Sequence, residues 1–155
     1  LINELSECSG HLGIAGGQFL DLNYEHKKIS KKKIIEMETK KTGKLFSFCC
    51  KAPAIIKNKN NNIINSFEKI GSQIGLLFQI TDDLIDHKSS TKIAGKKTKK
   101  DKKQGKATLI SLLGYKNTVK YNMKLKSQIE KNLKKFGSKT GNIKKTLDYI
   151  IDRSK

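Results

Sequence analysis

Tryptophan is missing from this chain, and proline and arginine each occur once. Aromatic residues make up only 6% of the 155 positions. No run approaches the ~18 apolar residues that a membrane-spanning helix requires, so no such span is expected. Histidine is limited to the scattered His11, His26 and His87. Cysteine is limited to Cys8, Cys49 and Cys50, with no CxxC spacing, so a zinc site is not indicated. Cys49 and Cys50 are adjacent and point different ways on a helix, which argues against a structural disulfide. They read as buried, reduced thiols in a cytoplasmic protein. No secretory signal is visible. An initiating Met is missing as well. The chain opens at Leu1 already in a helical pattern, as a fragment or processed form would.

The shortage of Arg qualifies the large positive charge. Net charge is +19, yet Arg153 is the single Arg among 33 basic residues, the other 32 being Lys. Lys, Asn and Ile share A/T-rich codons, and all three crowd Asn58-Lys59-Asn60-Asn61-Asn62-Ile63-Ile64-Asn65. A biased genome accounts for much of this charge. Nucleic-acid readers favour the bidentate fork of Arg, so nucleic acid is not an expected partner. The charge still favours anionic ligands. Hydrophobic residues are 35% of the chain, and the length suits one domain.

What is present is helical periodicity, without a convincing period-two strand. The pattern predicts a first helix over about 2–22, broken or closely packed at Gly16-Gly17. A polar turn covers 23–30. A second helix starts at the N-cap Ser30 and runs to about 50, with Ile34, Met37, the Lys41 stem, Leu45 and Phe48 on its apolar face. Pro53 interrupts or ends it. After an Asn-rich connection, a long third helix spans about 63–87. A flexible, Lys-rich loop covers about 88–105; loops of that length are usually functional or disordered. The last helices span about 108–136 and 143–152.

The third helix carries the strongest chemical signal. Phe78-Gln79-Ile80-Thr81-Asp82-Asp83-Leu84-Ile85-Asp86 sets a Gln and three Asp in an apolar run. Helical spacing puts Gln79, Asp82, Asp83 and Asp86 on one strip. Buried carboxylates call for a cation, and oxygen donors suit Mg²⁺ bridging to phosphates. A solvated face with chance acids is the alternative. Two weaker signals accompany it. Lys41-Thr42-Gly43 could bring a charged head and a hydroxyl close to an anion. Gly95-Lys96 and Gly105-Lys106 lie in the basic loop after the acidic strip. Taken alone, each is equally consistent with solvated lysines.

In order and spacing, Gly16-Gly17-Gln18-(x)₂-Asp21, Lys41-Thr42-Gly43, the Asp82 motif, Gly95-Lys96 and Gly105-Lys106-Ala107-Thr108 resemble the trans-polyprenyl diphosphate synthases. The ending Tyr149-Ile150-Ile151-Asp152-Arg153-Ser154-Lys155 is similar too. The likeness is greatest to the bacterial farnesyl and geranylgeranyl enzymes. It implies an all-α, isoprenoid synthase-type helical bundle. It also implies Mg²⁺-dependent condensation of isopentenyl diphosphate with an allylic diphosphate. A complete site would take three Mg²⁺, with Mn²⁺ as a substitute, and the enzyme would be a cytoplasmic homodimer. By this resemblance Asp82 and Asp86 ligate metal, with Asp83 supporting. Lys41, Lys96 and Lys106 hold the diphosphate. Lys41, Thr42 and Gln79 are catalytic, the last two facing the carbocation. Gln18 and Asp21 are cavity-wall and second-layer positions.

The family's first Asp-rich motif and its N-terminal isopentenyl diphosphate ligands are absent. The chain therefore resembles a C-terminal half, expected to be inactive alone. A noncatalytic partner subunit of a synthase is the alternative, and a basic nucleic-acid-binding helical protein is a third reading. Terpene cyclases share the fold but typically lack the Lys-Thr-Gly and Gly-Lys pattern.

Overall fold

One long helix organises the rest. The computed structural model describes residues 1–94 and 106–153, and every regular element among them is helical. The order is α1 (Ile2–Ser9), α2 (Ile14–Tyr24), α3 (Lys31–Glu38), a π-helical turn (Thr39–Gly43), α4 (Lys44–Ile56), α5 (Asn61–Ala94), α6 (Leu109–Leu113), α7 (Tyr115–Leu133), a 3₁₀ segment (Lys134–Thr140) and α8 (Gly141–Asp152). α5 touches α4, α7, α8, α3, α6 and the π turn. Such a helix must be apolar on more than one side. Ile70, Ile74, Leu77, Ile80 and Leu84 are each at most 4% exposed. They meet Ile34 of α3, Leu109 of α6, Ile129 and Leu133 of α7, and Leu147, Ile150 and Ile151 of α8. Burying each such side chain contributes about 1.5–3 kcal/mol.

Local chemistry sets the boundaries. Ser30 caps α3 by accepting from the Lys33 amide. The Asn60 side chain accepts from the Ile63 amide and opens α5. Thr108 and Ser111 form a reciprocal capping box on α6. Several sequence expectations are corrected. The first predicted helix divides at 10–13, ahead of the Gly16-Gly17 pair, and α2 continues to Tyr24. α4 runs one turn past Pro53, because the carbonyl that Pro53 leaves unpaired belongs to Cys49, which faces solvent. Cys49 is thus exposed, whereas Cys8 is buried. The third helix extends to Ala94, so the first part of the expected loop is helix. The rest of that loop, with Gly95-Lys96 and Gly105, lies outside the described residues. The helix expected over 108–136 is broken at Gly114, whose φ of 77° L side chains rarely adopt.

The π turn rotates the face of the second helix. A π turn inserts one residue into the helical repeat, so residues beyond it shift by about 100°. Ile34 and Met37 are buried as their spacing predicts, but Leu45 is 40% exposed. Gly43, Ser47, Lys51 and Ala54 face inward instead. Lys51 is made tolerable there by carboxylates from two other helices, Glu4 of α1 and Glu68 of α5.

Candidate active site

The π turn falls on Thr39-Lys40-Lys41-Thr42-Gly43, the segment that sequence reasoning singled out. Backbone contacts hold it on two sides. A Cβ on Gly17 of α2 would lie 2.2 Å from the Lys41 amide nitrogen. A Cβ on Gly75 of α5 would lie 2.6 Å from the Gly43 Cα. Only glycine permits such approaches, so α2 and α5 clamp the turn from opposite directions. π turns recur at functional positions because they re-aim side chains from an otherwise regular helix.

Three side-chain contacts then link the elements. Lys41 Nζ donates to Asp21 Oδ2 on α2 at 2.5 Å. Thr42 Oγ1 donates to Gln79 Oε1 on α5 at 2.8 Å. Gln79 Nε2 donates to Asp83 Oδ1 at 3.3 Å. The Thr42 hydroxyl and the Asp83 carboxylate together fix the Gln79 amide, because one end must accept and the other must donate. Gln18 is exposed on α2.

The carboxylates divide by environment. Asp83 is pushed up to about 6, chiefly by burial. Its hydrogen bond from Gln79 opposes that rise, Asp86 adds to it, and Lys106 and Lys41 reduce it. The influence of Lys106 shows that the chain beyond the basic loop returns to this region. Asp82 is 40% exposed at its side chain and receives Nη2 of Arg153 at 2.9 Å. Asp86 is exposed. The structure thus brings together Lys41, Thr42, Gln79, Asp21 and the Asp82–Asp86 strip, with Lys106 near enough to act electrostatically. Lys96 lies outside the described residues. Leu76 and Ile80 are packed in the core, and Phe78 is only partly buried. A separate open cleft of about 330 Å³ is lined by His11, Ala15, Gly16, Phe19, Leu20 and Lys40, and includes none of the acidic strip.

Two charged residues here escaped sequence reasoning. Glu38 is 2% exposed, and neither of its carboxylate oxygens has a hydrogen-bond partner. Burial raises it well above the usual carboxylate range, and the charges of Asp83 and Asp21 raise it further against Lys41. It lies one turn after the buried Ile34 and beside the buried Met37, but its charge argued for solvent. Arg153 did carry a signal, as the single Arg in a Lys-rich chain.

Comparison with known proteins places the chain among relatives. Residues 2–150 match the model of the family described as Polyprenyl synthetase. A farnesyl diphosphate synthase of Micrococcus luteus is 34% identical over all of this chain, which covers 53% of that protein. Among solved structures, a geranyltranstransferase of Thermotoga maritima superposes with a TM-score of 0.77 at 27% identity, over 97% of this chain and 51% of that one. A Helicobacter pylori geranyltransferase complexed with magnesium and isoprenyl diphosphate gives 0.78 at 25% identity, over 98% and 50%. The chain spans about half the length of the relatives it matches.

Proposed function

The chain belongs to the polyprenyl synthetase family, and from that premise we propose that it supplies one acidic motif and the diphosphate-holding lysines of a prenyltransferase. The reaction condenses isopentenyl diphosphate with an allylic diphosphate to give farnesyl or geranylgeranyl diphosphate. One observation carries this reading: the π turn that holds Lys41 and Thr42 is tied to α5 by the Thr42–Gln79 hydrogen bond, and Gln79 in turn bonds Asp83 within the acidic strip.

The donor set fits Mg²⁺. Asp82 and Asp86 lie one helical turn apart, are at least partly exposed and offer hard oxygen ligands. Among the described residues no three His, Cys, Asp or Glu side chains form a group that could hold an ion by themselves. Mg²⁺ usually keeps several waters and completes its shell with phosphate oxygens. Bound there, Mg²⁺ would neutralise charge on a departing diphosphate. By the family resemblance, a complete site would use this strip together with a second acidic motif to hold three ions.

The residues of the chain have separate tasks. Lys41 and Lys106 add positive charge where the leaving group gains negative charge. Asp21 holds the Lys41 ammonium in place until a diphosphate competes for it. The Thr42 hydroxyl donates its hydrogen bond to Gln79 Oε1, so its oxygen lone pairs stay available to positive charge on the allylic carbon. The chain spans about half of a relative's length, and alone it is expected not to turn over.

The test is prenyl transfer from geranyl diphosphate with labelled isopentenyl diphosphate and Mg²⁺. It is run on the chain alone and on the chain co-expressed with the N-terminal half of the Micrococcus luteus relative. Turnover is expected only in combination, falling by roughly 10²-fold or more in Lys41→Ala and Asp82→Ala. A combination whose activity ignores both substitutions would support the noncatalytic partner instead.

A further inference from the structure

Arg153 stands apart in a chain that meets every other need for positive charge with Lys. Its surroundings use what Lys lacks. Nη2 donates to Asp82 Oδ1 at 2.9 Å. The guanidinium carbon also lies 4.9 Å from the centroid of the Phe78 ring. A planar guanidinium can stack on a ring while its edge meets a carboxylate, and an ammonium cannot. Phe78 lies one turn before Asp82 and is braced by Phe46 at 5.6 Å between ring centroids. Ring and carboxylate therefore form one seat on α5. The end of α8 is brought to that seat by Leu147, Ile150 and Ile151, which are buried in the core.

Asp82 is also the carboxylate assigned above to a divalent ion. We propose that Arg153 is an internal counter-cation. It latches Asp82 in the metal-free protein and releases it when a divalent ion binds, so that the last turn of α8 responds to the ion. This rests on the metal role of Asp82. The pair is partly exposed, at 33% and 40%, and such pairs are weak enough to exchange. A guanidinium and a dication on one carboxylate repel each other strongly.

The experiment measures Mn²⁺ affinity by electron paramagnetic resonance and amide hydrogen exchange over residues 149–153, with inorganic pyrophosphate present to complete the shell of the ion. It uses the chain, Arg153→Gln, Arg153→Lys, Asp82→Asn and the surface control Lys145→Gln. Mn²⁺ is expected to speed exchange over 149–153 in the unmodified chain. Arg153→Gln is expected to exchange fast without the ion and to bind Mn²⁺ roughly three- to tenfold more tightly. Arg153→Lys should fall between, and Lys145→Gln should match the unmodified chain. Binding by Arg153→Gln alone would support the latch in its strongest form. The latch alone is overturned if Asp82→Asn weakens Mn²⁺ binding while Arg153→Gln leaves it unchanged. It is equally overturned if exchange over 149–153 ignores the ion, or if Lys145→Gln tightens binding as much as Arg153→Gln. If Asp82→Asn binds Mn²⁺ as well as the unmodified chain, or if no variant binds, the metal reading fails and the latch with it.

Discussion

Glu38 sits between Asp83, Asp21 and Lys41 with neither carboxylate oxygen hydrogen-bonded. Tyr121 of α7 is close enough that the Glu38 charge raises it, after burial. Burying an unpaired carboxylate is costly, so the folded protein favours the neutral acid of this group to higher pH than the unfolded chain does. The sign of the pH effect follows. An unfolded Glu titrates near ~4.3. Between that pH and the raised folded value, the native state keeps a proton that the unfolded chain has released. Stability is therefore greatest below this interval and falls as pH rises through it. Glu38→Gln removes the titration and keeps the shape. The urea midpoint of the unmodified chain should fall relative to that of Glu38→Gln between pH 5 and 8. Parallel profiles would mean that Glu38 titrates normally.

At the scale of elements, the π turn is the decisive feature. It aims Lys41 at α2 and Thr42 at α5 from consecutive positions, which needs close backbone contact on both sides. Gly17→Ala places a methyl 2.2 Å from the Lys41 nitrogen, against backbone that cannot swing aside. The expected loss is about 2 kcal/mol or more in urea unfolding, together with weaker diphosphate binding because Lys41 moves. Gly141→Ala is the control, since a Cβ there meets nothing within 4 Å. Equal stability of the two variants would show that α2 yields more readily than the contact implies.

For the whole molecule, the apolar surface is unevenly placed. Ile2, Leu5, Leu12, Phe19 and Leu22 are between 42% and 83% exposed, all on α1, α2 or the link between them. Large exposed apolar patches mark surfaces that pack against something else, and relatives are about twice as long as this chain. The chain by itself should self-associate with rising concentration in sedimentation velocity. The double substitution Phe19→Glu with Leu22→Glu should shift it toward monomer. Unchanged association would place the contact elsewhere. A homodimer of the complete enzyme is a separate proposal, and this measurement on the half-length chain does not address it.

Sequence alone determined the all-helical class, the family and the acidic strip, because helical periodicity and short-range spacing are local properties. The cap at Ser30 was legible for the same reason. Tertiary packing decided the rest. The π turn that exposes Leu45 and buries Lys51 arises from the approach of α2 and α5, which no window of α3 or α4 records. The divergence of Asp82, Asp83 and Asp86 depends on which neighbours cover α5 at each position. Glu38 is unpaired because of residues far from it in sequence, and Arg153 reaches Asp82 across 71 positions of chain. Such charges take their character from the dielectric and the partners around them, and both exist only once the helices have packed.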